Sequence, residues 1–244
     1  MVFSSRELGQ RIEQSLIMFA ENNDFRKLYK KYNWKKDTYE NGFPDIAKLE
    51  KEMRYKALSH KIGFRNILKI AEWGGLRNIS RISLNGDRLN LNLYREDGVP
   101  LPQIAENPLS PLISIQEQIS GMGPTYLTKV LRFALAQEYG AIDTRIVRVF
   151  GEGNNDSKQH DWLKLKVRND GYGWYISKYQ SSWPNDYVKW LNILRFFANK
   201  FNNPKENYEC PHPAKLIHFG LRLPGLWSCA DVEMALFSYA SQFV

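Results

Sequence analysis

The sequence predicts a mainly α-helical protein with one or two small β-hairpins, and three observations carry that prediction. Apolar residues recur at helical spacing through several stretches. Glycine, proline and asparagine cluster between those stretches. Strict alternation is confined to two short runs, one around Asn-Gly and one around Asn-Asp-Gly. The punctuation falls near Asn41-Gly42-Phe43-Pro44 and at 98–111, 151–156 and 202–213.

The first helical block, about 5–58, opens with charges scattered among apolar positions, the pattern of an amphipathic helix rather than a signal peptide. Ile67-Leu68-Lys69-Ile70-Ala71-Glu72-Trp73 falls in a second block. The run ISRISLNGDRLNLNLY then reads as a helix ending at Gly86 or as a hairpin about Asn85-Gly86, and the alternation of Leu89, Leu91 and Leu93 favours the hairpin. Residues 111–119 form a short helix with Leu112, Ile115 and Ile119 on one side. After a turn, Tyr126, Leu127, Val130, Leu131, Phe133 and Ala134 again follow helical spacing. In the turn, Gly121 and Gly123 let the backbone bend tightly and approach a phosphate. Pro124 suits the first helical position, and the N–H groups of that helix start face the anion. The run WLKLKVRNDGYGWYISKY, 162–179, alternates about Asn-Asp-Gly and predicts a second hairpin, and helices resume at 186–201 and 230–243.

Helix, hairpin and helix, with Asp143-Thr144 eighteen residues beyond Thr125, resemble the helix-hairpin-helix DNA glycosylases of the endonuclease III superfamily. Ile119, Gly121, Met122 and Gly123 match that family's hydrophobic-x-Gly-hydrophobic-Gly hairpin, and Ile142, Asp143 and Thr144 match its Val/Ile-Asp-Thr/Ser context. The stronger part of the likeness covers about 110–150. Two departures accompany it. Leu127 stands where the family commonly has a small residue, and two cysteines, Cys210 and Cys229, cannot supply the four-cysteine iron–sulfur loop of some members.

The resemblance implies two helical lobes about a DNA-facing cleft. One lobe is 60–150, with the hairpin motif at about 111–138; the other combines 1–59 with 151–244. It also implies a flipped nucleotide and a carboxylate, Asp143, placed beneath its sugar to stabilise positive charge and orient water. Local sequence alone reads Asp143 as the N-cap of the helix beginning at Thr144. Bifunctional relatives carry a Schiff-base lysine at the position of Thr125. A hydroxyl there implies a monofunctional enzyme that leaves an abasic site, acting in base-excision repair or against modified phage DNA. The alternatives are a non-catalytic DNA-binding protein and a glycosylase/lyase using Lys129, a residue otherwise expected to be solvated or to touch a phosphate. Gly121, Gly123, Thr125, Tyr126, Lys129, Arg145 and Arg148 are the expected DNA contacts. Trp73, Tyr126, Trp162, Trp174, Tyr175 and Trp183 are candidates for stacking on a flipped base or filling the gap it leaves.

Composition agrees with a polyanionic partner: 34 Lys and Arg against 26 Asp and Glu give a net charge of +8. Lys164, Lys166 and Arg168 alternate along the candidate strand as further phosphate contacts or solvated residues. The four histidines have no standard zinc spacing, so no metal and no cofactor are expected. No apolar run reaches the length of a membrane span. The expectation is a cytoplasmic monomer with reduced thiols.

Overall fold

In the computed structural model, which describes residues 8–152 and 156–244, the chain is mainly α-helical, with eleven α-helices and three two-stranded antiparallel sheets among the described residues. The N-terminal block holds α1 (Gln10–Asn22), α2 (Phe25–Lys30), the short pair β1 (Asn33–Trp34) and β2 (Asp37–Thr38), and α3 (Pro44–Leu58). The expected amphipathic stretch is α1, with Leu16 and Phe19 buried; residues 1–7 of that stretch lie outside the described residues. At α3, Phe43 is left-handed (φ 52°) and cannot cap the helix, while Pro44 takes the first position. The cap comes instead from β2: Asp37 Oδ1 accepts from the N–H groups of Asp45 (2.9 Å) and Ile46 (3.0 Å).

α4 (Phe64–Gly74) ends at a left-handed Gly75. The next segment corrects one expectation, because no hairpin closes about Asn85-Gly86. Residues Ile79–Arg81 form a 3-10 turn, and β3 (Ser83–Leu84) pairs with β4 (Ile119–Ser120). The Leu89 N–H donates to the Ile62 carbonyl at 2.8 Å. Leu89, Leu91 and Leu93 do alternate into the core. Alternation reports which side chains are buried, and a strand partner from distant sequence leaves no mark on it.

α5 (Pro102–Glu106) and α6 (Leu109–Gln118) lead into β4; α7 (Pro124–Ala134) and α8 (Thr144–Phe150) follow. The punctuation at 151–156 falls partly outside the described residues. The centre of the second expected hairpin is β5 (Val167–Asn169) paired with β6 (Trp174–Ile176), Val167 opposite Ile176 and Arg168 opposite Tyr175. Asp170 Oδ1 holds its turn by accepting from the N–H groups of Tyr172 and Gly173, both at 3.0 Å. α9 (Asn185–Phe201), α10 (Ala214–His218) and α11 (Cys229–Ala240) complete the order.

Buried side chains form one continuous cluster. α3 packs on α7 and α4, while α11 packs on α2, α8 and α9. α3 thus lies against α7, and α8 against α11. A buried ionic network joins the two groups. Arg132 Nη1 donates to Glu50 Oε1 (2.6 Å), Arg222 Nη1 to Glu50 Oε2 (2.7 Å), and Arg222 Nε to Asp231 Oδ1 (2.8 Å). Burial alone would raise the Asp231 carboxyl, but Arg222, His212 and the Ser228 hydroxyl together offset that and hold it below its ordinary value. Among the described residues, no helix is long and apolar enough to cross a membrane.

Candidate functional site

The turn between α6 and α7 takes its shape from Gly121 and from the β3–β4 pair beneath it. Gly121 has φ 79°, and a Cβ there would sit 2.2 Å from the Arg81 carbonyl oxygen. Only glycine satisfies both the conformation and the close approach. Gly123 is extended and directly precedes Pro124 at the helix start, where no side chain supplies a cap. The Thr125 N–H consequently has no partner among the described residues and is free to meet an anion. Thr125 itself lies on this outer turn, with its carbonyl accepting from Thr128 Oγ1 at 3.1 Å.

Asp143 is the N-cap of α8. Its Oδ1 accepts from the N–H groups of Arg145 (2.9 Å) and Ile146 (3.1 Å), while Oδ2 has no hydrogen-bond or ion-pair partner among the described residues. Capping therefore engages one oxygen of the carboxylate and leaves the other unpartnered. Asp143 lines a small cavity of about 10 Å³, room for about one water, that is partly open to solvent.

The pocket walls come from four parts of the chain. Trp34 and Trp73 form one side, with Trp34 Nε1 donating to the Trp73 carbonyl (3.1 Å) and Trp73 Nε1 to Asp37 Oδ2 (2.8 Å). Tyr32 and Phe237 stand 5.3 Å apart between ring centres on another. Glu233 on α11 lies close to Arg132, 3.6 Å between Oε2 and Nε. Burial pushes the Glu233 carboxyl up to about 7, Arg132 opposes that rise, and the Asp143 charge adds to it.

Lys129 departs from its expected exposure. It is 7% exposed and lines the same pocket as Asp143. Its Nζ lies 5.5, 5.4 and 5.2 Å from the ring centres of Trp34, Trp73 and Tyr126. Among the described residues no hydrogen-bond acceptor reaches that Nζ, so the rings are the main surroundings of its charge. Burial lowers the Lys129 pKa, and Asp143 and Glu233 act against the lowering. Arg132, three residues further on, is likewise buried, held by Glu50.

Tyr126 leans onto α4. Its hydroxyl donates to the Gly74 carbonyl at 3.3 Å, its ring fills the space beside Gly74, where a Cβ would come within 2.7 Å, and burial pushes the hydroxyl up to about 12. Arg145 lies over the pocket-wall rings, its guanidinium carbon 5.0 Å from the centre of Phe237 and 5.5 Å from that of Trp34. Arg148 points the other way, 4.7 Å over the Trp174 ring of the β5–β6 hairpin. Trp162 and Trp183 are core residues, whereas Trp174 and Tyr175 are exposed. Cys210, His212 and Asp231 bring possible ligand atoms within 4.8 Å of one another, but each is engaged. His212 Nε2 donates to the Leu226 carbonyl, its Nδ1 faces the Cys210 thiol, and Asp231 serves Arg222 and Ser228.

Tyr32, Trp34, Glu233 and Phe237 were not recognisable as site residues in the sequence, since nothing local relates them to Asp143. Lys129 did leave a signal: Tyr126, Val130 and Phe133 place it on a helix face that is otherwise apolar. Compared with known protein families, with curated proteins and with solved structures, the chain matches none of them.

Proposed function

We propose that this protein is a DNA glycosylase that takes a damaged or modified base out of the duplex and hydrolyses its N-glycosidic bond, leaving an abasic site. The observation that carries this reading is Asp143 Oδ2, unpartnered at a pocket walled by indole and phenyl rings. Breaking the bond from sugar to base develops positive charge on the deoxyribose. An ionised oxygen at that point lowers the barrier and can orient the attacking water. Trp34 and Trp73, tilted at 60° with ring centres 6.3 Å apart, give the site aromatic surface for a base, and the Gly121–Gly123 turn offers N–H groups to a backbone phosphate. The net charge of +8 favours the polyanion.

The experiment is mass spectrometry of bases released from damaged, mismatched and phage-modified DNAs by the wild type and by Asp143→Asn. Release by the wild type alone supports the reading. Binding without release by either protein replaces it with that of a non-catalytic DNA-binding protein.

The burial of Lys129 in the pocket favours a second reading, in which its amine attacks the sugar C1′ as the base leaves, and the Schiff base so formed undergoes β-elimination that expels the 3′ phosphate. Borohydride added during turnover separates the two. Hydrolysis gives no trapped protein–DNA complex, whereas a complex lost in Lys129→Ala assigns the nucleophile to that lysine.

A further inference from the structure

The β5–β6 hairpin carries a surface that the pocket does not use. Within four residues, Tyr172 is 79% exposed, Trp174 38% and Tyr175 40%. Tyr172 sits on the turn and Trp174 and Tyr175 stand on opposite faces of β6, so the tip of the hairpin carries exposed aromatic surface on both sides. Their setting is cationic. Arg168 sits opposite Tyr175 in the strand register, Arg148 covers one side of Trp174, and Arg77 lies 3.8 Å from the point where a Gly173 Cβ would be. The one carboxylate of the turn, Asp170, is occupied in holding it through the Tyr172 and Gly173 N–H groups.

The hairpin is also placed beside the candidate phosphate turn. β6 packs on α7 and α8, and the Ile176 carbonyl oxygen lies 3.9 Å from the Cβ position of Gly123. Arg148, on the helix that Asp143 caps, links the hairpin to the pocket side. A strand held at Gly121–Gly123 would therefore run next to exposed rings interleaved with arginines. Aromatic faces accept any base that has left its stack, and neighbouring cations hold the adjoining phosphates.

We infer that the tip of the β5–β6 hairpin is a stacking platform for an unpaired base of DNA, next to the phosphate-binding turn. The inference rests on the glycosylase reading, because expelling one nucleotide leaves its opposite base unpaired.

The test is fluorescence anisotropy with the full chain on two duplexes of one sequence, one fully paired and one with a tetrahydrofuran residue that leaves a single base unpaired. The wild type should bind the second roughly tenfold more tightly, the scale of one base–aromatic stack. A Tyr172→Ala/Tyr175→Ala protein should lose that preference, with the paired-duplex affinity and thermal midpoint unchanged. If the wild type has no preference, or if the double variant keeps it in full, the platform is overturned while DNA binding and base release stand. If the wild type binds neither duplex, the platform and the glycosylase reading fall together.

Discussion

Trp73 donates its indole N–H to Oδ2 of Asp37 at 2.8 Å, while the other oxygen of that carboxylate caps α3. One buried residue thus fixes a pocket wall and the start of a helix. Asp37→Ala leaves an indole and two backbone donors unpaired and should cost about 3 kcal/mol, read as a lower urea midpoint. Asp37→Asn, which keeps an oxygen for the cap, should lose less.

The divided carboxylate of Asp143 gives a second expectation. Asparagine caps a helix about as well as aspartate, so Asp143→Asn should fold with near wild-type stability, and Asp143→Ala should lose about 1 kcal/mol. Both should abolish base release. Thermal melts alongside release assays separate the cap from the chemistry.

Gly121→Ala would force a Cβ against the Arg81 carbonyl and strain a left-handed residue. The backbone must move, at a cost of about 1–3 kcal/mol, and under the proposed function the turn would lose its aim at a phosphate. DNA affinity should fall by roughly tenfold or more, measured by anisotropy on a paired duplex. Gly86→Ala, where the added Cβ meets no atom within 4 Å, is a comparison for the strain of a positive φ alone.

Glu233 makes stability depend on pH. Its carboxyl is raised from an ordinary 4.5 to about 7, chiefly by burial. Between those values the folded protein keeps a proton that the unfolded chain has lost. The contribution is fully present below about pH 4.5 and falls as pH rises to about 7, by something on the order of 3 kcal/mol. Glu233→Gln should remove that fall. Urea midpoints at pH 5 and pH 8 for both proteins provide the check, the variant gaining on the wild type at the higher pH.

Much of this architecture is legible in local sequence, where the cause is itself local. Pro124 marks the start of α7, the residues after Asp143 form α8, and Asn169-Asp170-Gly171 turns the β5–β6 hairpin. Pairing across long separations is not legible in this way. Ser83 and Leu84 find β4 rather than the leucines that follow them, because a ladder needs only backbone groups and those carry no identity. The pocket was half visible. Asp143 and Lys129 lie within the recognisable motif, whereas Trp34, Glu233 and Phe237 arrive by tertiary packing.

That last convergence sets an order of events during synthesis. The Gly121–Gly123 turn and Asp143 leave the ribosome together, before Glu233 and Phe237 on α11. A nascent chain can therefore form the turn while the pocket still lacks a wall. Until α11 docks against α2, α8 and α9, the Asp143 carboxylate faces open water.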